Sequence, residues 1–105
     1  MNKTIKKIDQ YLKESNNVNY MENITNKLKN KLPDCPNDLL KFYTLLVLTT
    51  GKETTLENVH DAWSIWQNTI NPEHRSLVPF KNLTKPVQEL DELYCQAIIE
   101  TANEL

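Results

Sequence analysis

The chain has 105 residues, 39% of them apolar and 25% charged, with a formal net charge of −2; that length predicts one domain and that balance excludes wholesale disorder. A single glycine excludes a glycine-rich phosphate loop and argues against hairpin-rich β architecture. Two cysteines, Cys35 and Cys95, predict reduced thiols of an intracellular protein. Charge is unevenly spread: residues 1–31 hold seven lysines against three acids, while residues 32–105 hold five basic and eleven acidic groups. The basic first third is expected to touch an acidic surface, such as the last helix of its own fold or a second copy. It lacks the aromatic-interleaved basic patch that a nucleic-acid polymer would demand.

The N-terminal MNKTIKKIDQYLKES has no apolar run of the secretory kind. Ile5, Ile8 and Leu12 lie on one face of a short helix, which SNNVN interrupts. Tyr20, Ile24, Leu28 and Leu32 recur every four residues and predict a second amphipathic helix with lysines outside. Pro33 ends it, and Asn37 is placed to cap the next helix. DLLKFYTLLVLTT is apolar on nearly every face, as a buried central helix would be, and Gly51 stands where a left-handed residue terminates a helix. Its longest apolar run, Leu45 to Leu48, is too short to span a bilayer.

Thr54 and Glu57 have the spacing of a capping box for a helix whose inner stripe is Val59, Trp63, Trp66 and Ile70. Asn71-Pro72 closes it. SLVPF, with Pro79 inside it, predicts an extended, packed crossing segment. Thr84 and Pro86 open a last helix with Val87, Leu90, Tyr94, Ala97, Ile98 and Thr101 facing inward. The expected fold is all-α: four or five helices with one extended connector. Residues 1–37 would be a basic helical segment and residues 38–105 a ligand-binding core, within a single domain.

Both tryptophans, both histidines and the only arginine fall between His60 and Arg75. Tryptophans at helical spacing are core residues as a rule; Trp63, at the margin, could also wall a planar ligand. His60 projects about 60° round the helix from Trp63, at the edge of the apolar stripe. There it could meet a ligand, or donate to a backbone carbonyl and fix a helix junction. Asp91 occupies the matching edge of the last helix and needs a partner: His60, Arg75 or a ligand hydroxyl. Arg75, between His74 and Ser76, has the planar fork of an anion clamp, with an ion pair to Asp61 or Asp91 as the structural alternative. The candidate binding set is His60, Trp63, Ser64, Gln67, His74, Arg75, Ser76, Phe80, Asp91 and Tyr94. No zinc-site spacing and no nucleophile elbow occur, so neither metal, cofactor nor catalytic machinery is expected.

VHDAWSIWQNT, HRSLVPFKNL and QELDELYCQA, in that order and spacing, resemble a family of small bacteriophage proteins over about residues 38–99. More weakly, His60 and Trp63 with Leu77, Val78, Pro79 and Phe80 are similar to the ryanodine-receptor repeat domain. The chain lacks that domain's arginine after the tryptophan and its glycine-aromatic-glycine turn. The resemblance implies a free-standing phage protein in the host cytoplasm. There it would bind and sequester a nucleotide-derived immune signal, a cyclic nucleotide or an ADP-ribose derivative, as a homo-oligomer. Trp63 would stack the base, Arg75 and His74 would meet phosphate, and Asp91 and His60 would take ribose hydroxyls. The rival readings are a module that docks a host or virion protein through the basic N-terminal helices and, last, an enzyme that degrades the signal.

Overall fold

The computed structural model describes residues 19–105; the helix expected over Ile5, Ile8 and Leu12 lies outside the described residues. Five α-helices and two 3₁₀ turns make up the described chain, with no strand among the described residues. The fold is the all-α bundle that the hydrophobic periodicity predicts.

Helix α1 (Tyr20–Lys31) starts where the Asn19 side chain accepts from the Glu22 amide at 2.9 Å. Glu22 in its first turn and Lys29 and Lys31 in its last complement the helix dipole. Ile24, Leu28 and Leu32 are buried as their spacing predicts, while Tyr20, in the first turn, stays exposed because no described element covers that end. Leu32 ends the helix before Pro33, and the Lys29 ammonium donates to the Cys35 carbonyl across the connector. Lys31 and Lys27 reach Glu104 at 3.0 and 3.9 Å. This basic helix therefore meets the acidic end of its own fold.

Helix α2 (Asn37–Thr49) runs back antiparallel, bridged to α1 by the Thr25 and Thr44 hydroxyls at 2.9 Å. Its cap position is Pro36 and no side chain caps it, so Asn37 is not the expected cap: its backbone is already helical. Leu39, Leu40, Tyr43, Thr44 and Val47 are buried. The helix is central but not buried all round, since Leu45 and Leu48 are 55% and 43% exposed on a face that no described helix covers. Gly51 takes φ +55, the left-handed conformation the sequence predicts after the last turn.

Helix α3 (Leu56–Ile70) does open on a capping box, but it is formed by Thr55 and Asn58 rather than Thr54 and Glu57. The Asn58 amide donates to the Thr55 hydroxyl at 3.1 Å and the Thr55 amide donates to the Asn58 side chain at 2.9 Å. Thr54 is buried instead, its hydroxyl 2.7 Å from the Gly51 carbonyl and 2.6 Å from Thr50 Oγ1. Val59, His60 and Ala62 are buried and both tryptophans half-buried, while Ile70, in the final turn, is exposed and not part of the core stripe.

The connector 71–79 is irregular, with turns at 72–73 and 75–76, and leads into a 3₁₀ turn at Phe80–Asn82. The last helix of the sequence reading is two helices, α4 (Lys85–Glu89) and α5 (Glu92–Asn103). At the joint the backbone bonds tighten, Leu90 N–H to the Val87 carbonyl and Asp91 N–H to the Gln88 carbonyl, before the ladder resumes at Cys95. That bend leaves Leu90 70% exposed, where a straight helix would turn it inward.

Leu28, Leu40, Val59 and Ile98, one from each of α1, α2, α3 and α5, are fully buried in a common core. Burial of each such side chain stabilises by about 1.5–3 kcal/mol relative to exposure. This core holds the helices whose other edges border the site. No described helix is long and apolar enough to cross a membrane.

Candidate functional site

A cavity of about 390 Å³ opens between α2, α3, the connector and the α4–α5 joint. Its size is at the small end of the range of about 300–1,000 Å³ occupied by ligand pockets. Leu39 and Tyr43 come from α2, His60, Trp63 and Trp66 from α3, His74 and Ser76 from the connector. Leu83, Val87, Leu90, Asp91 and Tyr94 close the far side, with Pro36 at the start of α2. Apolar and aromatic surface therefore dominates, with a few polar groups set into it.

His60 is 3% exposed. Its Nε2 donates to the Val78 carbonyl at 2.7 Å, and since a carbonyl can only accept, the ring proton sits on Nε2. The backbone-carbonyl reading of His60 is the geometry found: it pins the connector to α3, and the residue also lines the cavity. The Ser64 hydroxyl lies 3.4 Å from the same nitrogen. Nδ1 has no hydrogen-bond partner among the described residues. His74 has the complementary arrangement: its Nδ1 accepts from the Ser76 amide at 3.0 Å, so in the neutral ring the proton is on Nε2. Trp63 stacks on His60, with centroids 5.7 Å apart and planes at 22°, and meets His74 edge-on at 5.1 Å.

Tyr43 is 1% exposed, its ring tilted against Tyr94 at 5.6 Å, and its hydroxyl makes no hydrogen bond to a described residue. No sealed side-chain nitrogen or oxygen lacks a partner among the described residues. Tyr43 Oη and His60 Nδ1 are therefore not sealed, and both residues line the cavity. Burial pushes the Tyr43 hydroxyl well above the usual phenol range, with further contributions from Cys35, Asp91 and Tyr94, so it stays protonated. Burial likewise raises the Asp91 carboxyl, partly offset by the imidazole of His60. Asp91 stands at the cap position of α5 yet caps nothing, because its backbone is αR where a capping aspartate is extended. Asp91 is among the residues that line the cavity.

Of the sequence-predicted set, His60, Trp63, His74, Ser76, Asp91 and Tyr94 are brought together around the cavity. Four are not. Ser64 lies on the other edge of α3, beside a shallow groove with Asp61, Ile65 and Val78. Gln67 is half-buried away from the cavity lining. Phe80 packs with its ring centroid 6.1 Å from that of His60 and is not part of the lining. Arg75 is turned to solvent while its neighbours His74 and Ser76 line the cavity, and it forms no ion pair with Asp61 or Asp91. Trp66, assigned to the core from the sequence, also borders the cavity.

Sequence reasoning missed Leu39 and Tyr43, whose i, i+4 spacing on a strongly apolar helix reads as core, and Leu83, Val87 and Leu90, whose i, i+4, i+7 spacing reads as a helix face. No residue type in either group signals an opening. Both cysteines are buried, free and pushed up by burial, which keeps them as thiols and not as nucleophiles. No cluster of three potential metal ligands exists among the described residues.

Residues 19–103 match the model of the family described as Domain of unknown function (DUF7701). The match includes α1, which the sequence resemblance left out. It spans most of the chain, so the chain belongs to this family. No curated protein and no solved structure matches the chain.

Proposed function

We propose that this DUF7701 protein is a non-catalytic binder of a small nucleobase-containing molecule, and that it acts by lowering the free concentration of such a signal. The observation that carries the reading is that two buried residues, Tyr43 and His60, line a mostly apolar cavity, each with a polar atom, Oη and Nδ1, that has no hydrogen-bond partner among the described residues. Because neither atom is sealed and neither has a partner among the described residues, a ligand that bonds them forms new hydrogen bonds without breaking any within the protein. Aromatic walls with a few converging polar groups suit a planar heterocycle.

The phosphate contact has a different place from the one expected. With Arg75 outside the cavity and no lysine or arginine lining it among the described residues, a phosphate would remain outside while the base enters. Exposed Leu90 at the rim, with exposed Leu93 beyond it, gives a second copy an apolar surface to cover, which supports an oligomeric form. The likeness to phage proteins and to the ryanodine-receptor repeat supports an immune messenger as the sequestered signal.

Titration calorimetry against free bases, nucleosides, cyclic nucleotides and ADP-ribose derivatives tests the proposal. Saturable heat from at least one class, with the ligand recovered chemically intact after heat denaturation, is the expected result. Silence across the whole panel removes the base-binding reading, and recovery of an altered ligand replaces sequestration with turnover.

A further inference from the structure

Charge and proton placement inside the cavity restrict what can enter it. Asp91 is the only acidic residue of its lining, and no lysine or arginine balances it among the described residues. Its carboxylate caps no helix and joins none of the ion pairs, which lie at Lys27, Lys31 and Lys41. Close by, the Val78 carbonyl holds the His60 proton on Nε2, so Nδ1 presents a lone pair. The cavity therefore offers two acceptors within one electrostatic neighbourhood. A second acceptor or an anion placed against them would leave every group unmatched and repelled, whereas N–H groups satisfy both.

We infer that the portion of the ligand that enters the cavity is a neutral amino-substituted heteroaromatic ring, with its N–H groups donating to Asp91 and to His60 Nδ1 and any phosphate kept outside. This rests on the base-binding reading above and specifies its ligand class. Tyr43 Oη and the Nε2 proton of His74 supply the complementary donors for ring nitrogens or carbonyls, which allows a heterocycle with both kinds of edge atom. Asp91 is then the specificity-determining residue: it selects an exocyclic amine over an exocyclic oxygen.

Acid should weaken such binding. A protonated Asp91 carboxyl turns one of its oxygens from acceptor into donor, and a proton on His60 Nδ1 fills the other lone pair. The titratable groups around Asp91 are His60 on α3, Tyr43 on α2 and His74 on the connector across the same cavity, with Glu92, Tyr94 and Cys95 on its own helix. Burial moves the Tyr43 phenol and the Cys95 thiol further from the acid range, so neither contributes to the loss on acidification.

The test uses pairs of equal size that exchange an exocyclic amino group for an oxo group, and with it the neighbouring ring nitrogen from acceptor to N–H: cytidine against uridine, and adenosine against inosine, titrated into the full chain by calorimetry. The amino member should bind at least about tenfold tighter, since a site built to accept from a donor rejects the analogue that lacks it. Asp91→Asn should erase that preference, because an amide can donate as readily as accept. The 5′-monophosphates should bind no tighter than the nucleosides at moderate salt. Equal binding within both pairs, tighter oxo members, or a preference that survives Asp91→Asn overturns the inference while leaving the base-binding reading intact. Binding by none of the four nucleosides or their free bases overturns both. Wild-type binding measured down the pH scale is independent of whether the variant folds: affinity for the amino member that does not fall on acidification also overturns the inference.

Discussion

Tyr43→Phe should separate stability from binding, which truncating an ordinary core tyrosine hydroxyl does not. The ring is 1% exposed and packs against Tyr94 at 5.6 Å; phenylalanine keeps that ring and its contacts. Only the hydroxyl goes, and it has no hydrogen-bond partner among the described residues. A buried tyrosine hydroxyl bonded inside the protein would take about 0.5–1.5 kcal/mol with it, and more if its former partner were left unmatched. Here neither loss applies, so the unfolding free energy should change by less than about 0.5 kcal/mol, the range of substitutions that touch no special feature. Ligand affinity should respond differently. If the hydroxyl bonds the ligand, the same 0.5–1.5 kcal/mol appears in binding, roughly a two- to twelvefold rise in Kd. Urea unfolding at fixed pH, compared by midpoint with the slope unchanged, gives the first number, and calorimetry with the tightest ligand gives the second. A loss of stability above about 1 kcal/mol would mean that Tyr43 Oη has a structural partner, and the argument that it serves the cavity would fall.

Three further outcomes are expected. Asp91→Asn should raise the melting temperature near neutral pH: burial raises the folded-state carboxyl, so ionising it costs the folded state more than the unfolded one. The unfavourable contribution is absent below the unfolded value, near pH 3.9, and builds as pH rises through the raised folded value, so the advantage of the variant should vanish in acid. Gly51→Ala should destabilise by about 1–2 kcal/mol in denaturant unfolding, from backbone strain at φ +55 alone, since an added Cβ would only reach ordinary contact with Ala102 at 3.9 Å. Thr55→Ala should lower stability by about 0.5–2 kcal/mol by removing the α3 cap, whereas Glu57→Gln, outside the capping box, should be nearly silent in the same assay.

The candidate site was legible in the sequence where chemistry and local spacing coincide. His60 and Trp63 lie three apart on one helix, and their neighbourhood follows from helical geometry alone. Asp91 stood out as an acid beside an apolar face, and it does face the cavity with no partner among the described residues. Arg75 could not be placed in this way, because it lies on an irregular connector where no period relates one side chain to the next. Tyr43 was invisible for the opposite reason: its helix is so apolar that a residue lining a cavity and a residue lining the core have the same pattern. The capping box moved by one residue because Thr54 and Thr55 are locally equivalent, and burial of Thr54 against Gly51 and Thr50 decided between them.

The amino-acid sequence by itself determined that the described residues are helical and where their helices break, the joint at Leu90–Asp91 excepted. Those properties depend on side chains three or four residues apart, on prolines that cannot donate and on one glycine that tolerates a left-handed backbone. Tertiary structure alone decided that an opening exists and which groups face it. The bend at Leu90–Asp91 and the hydrogen bond from His60 to Val78 set how far the connector and the last two helices stand from α2 and α3. That separation is fixed by contacts between residues distant in sequence, and no local period records it.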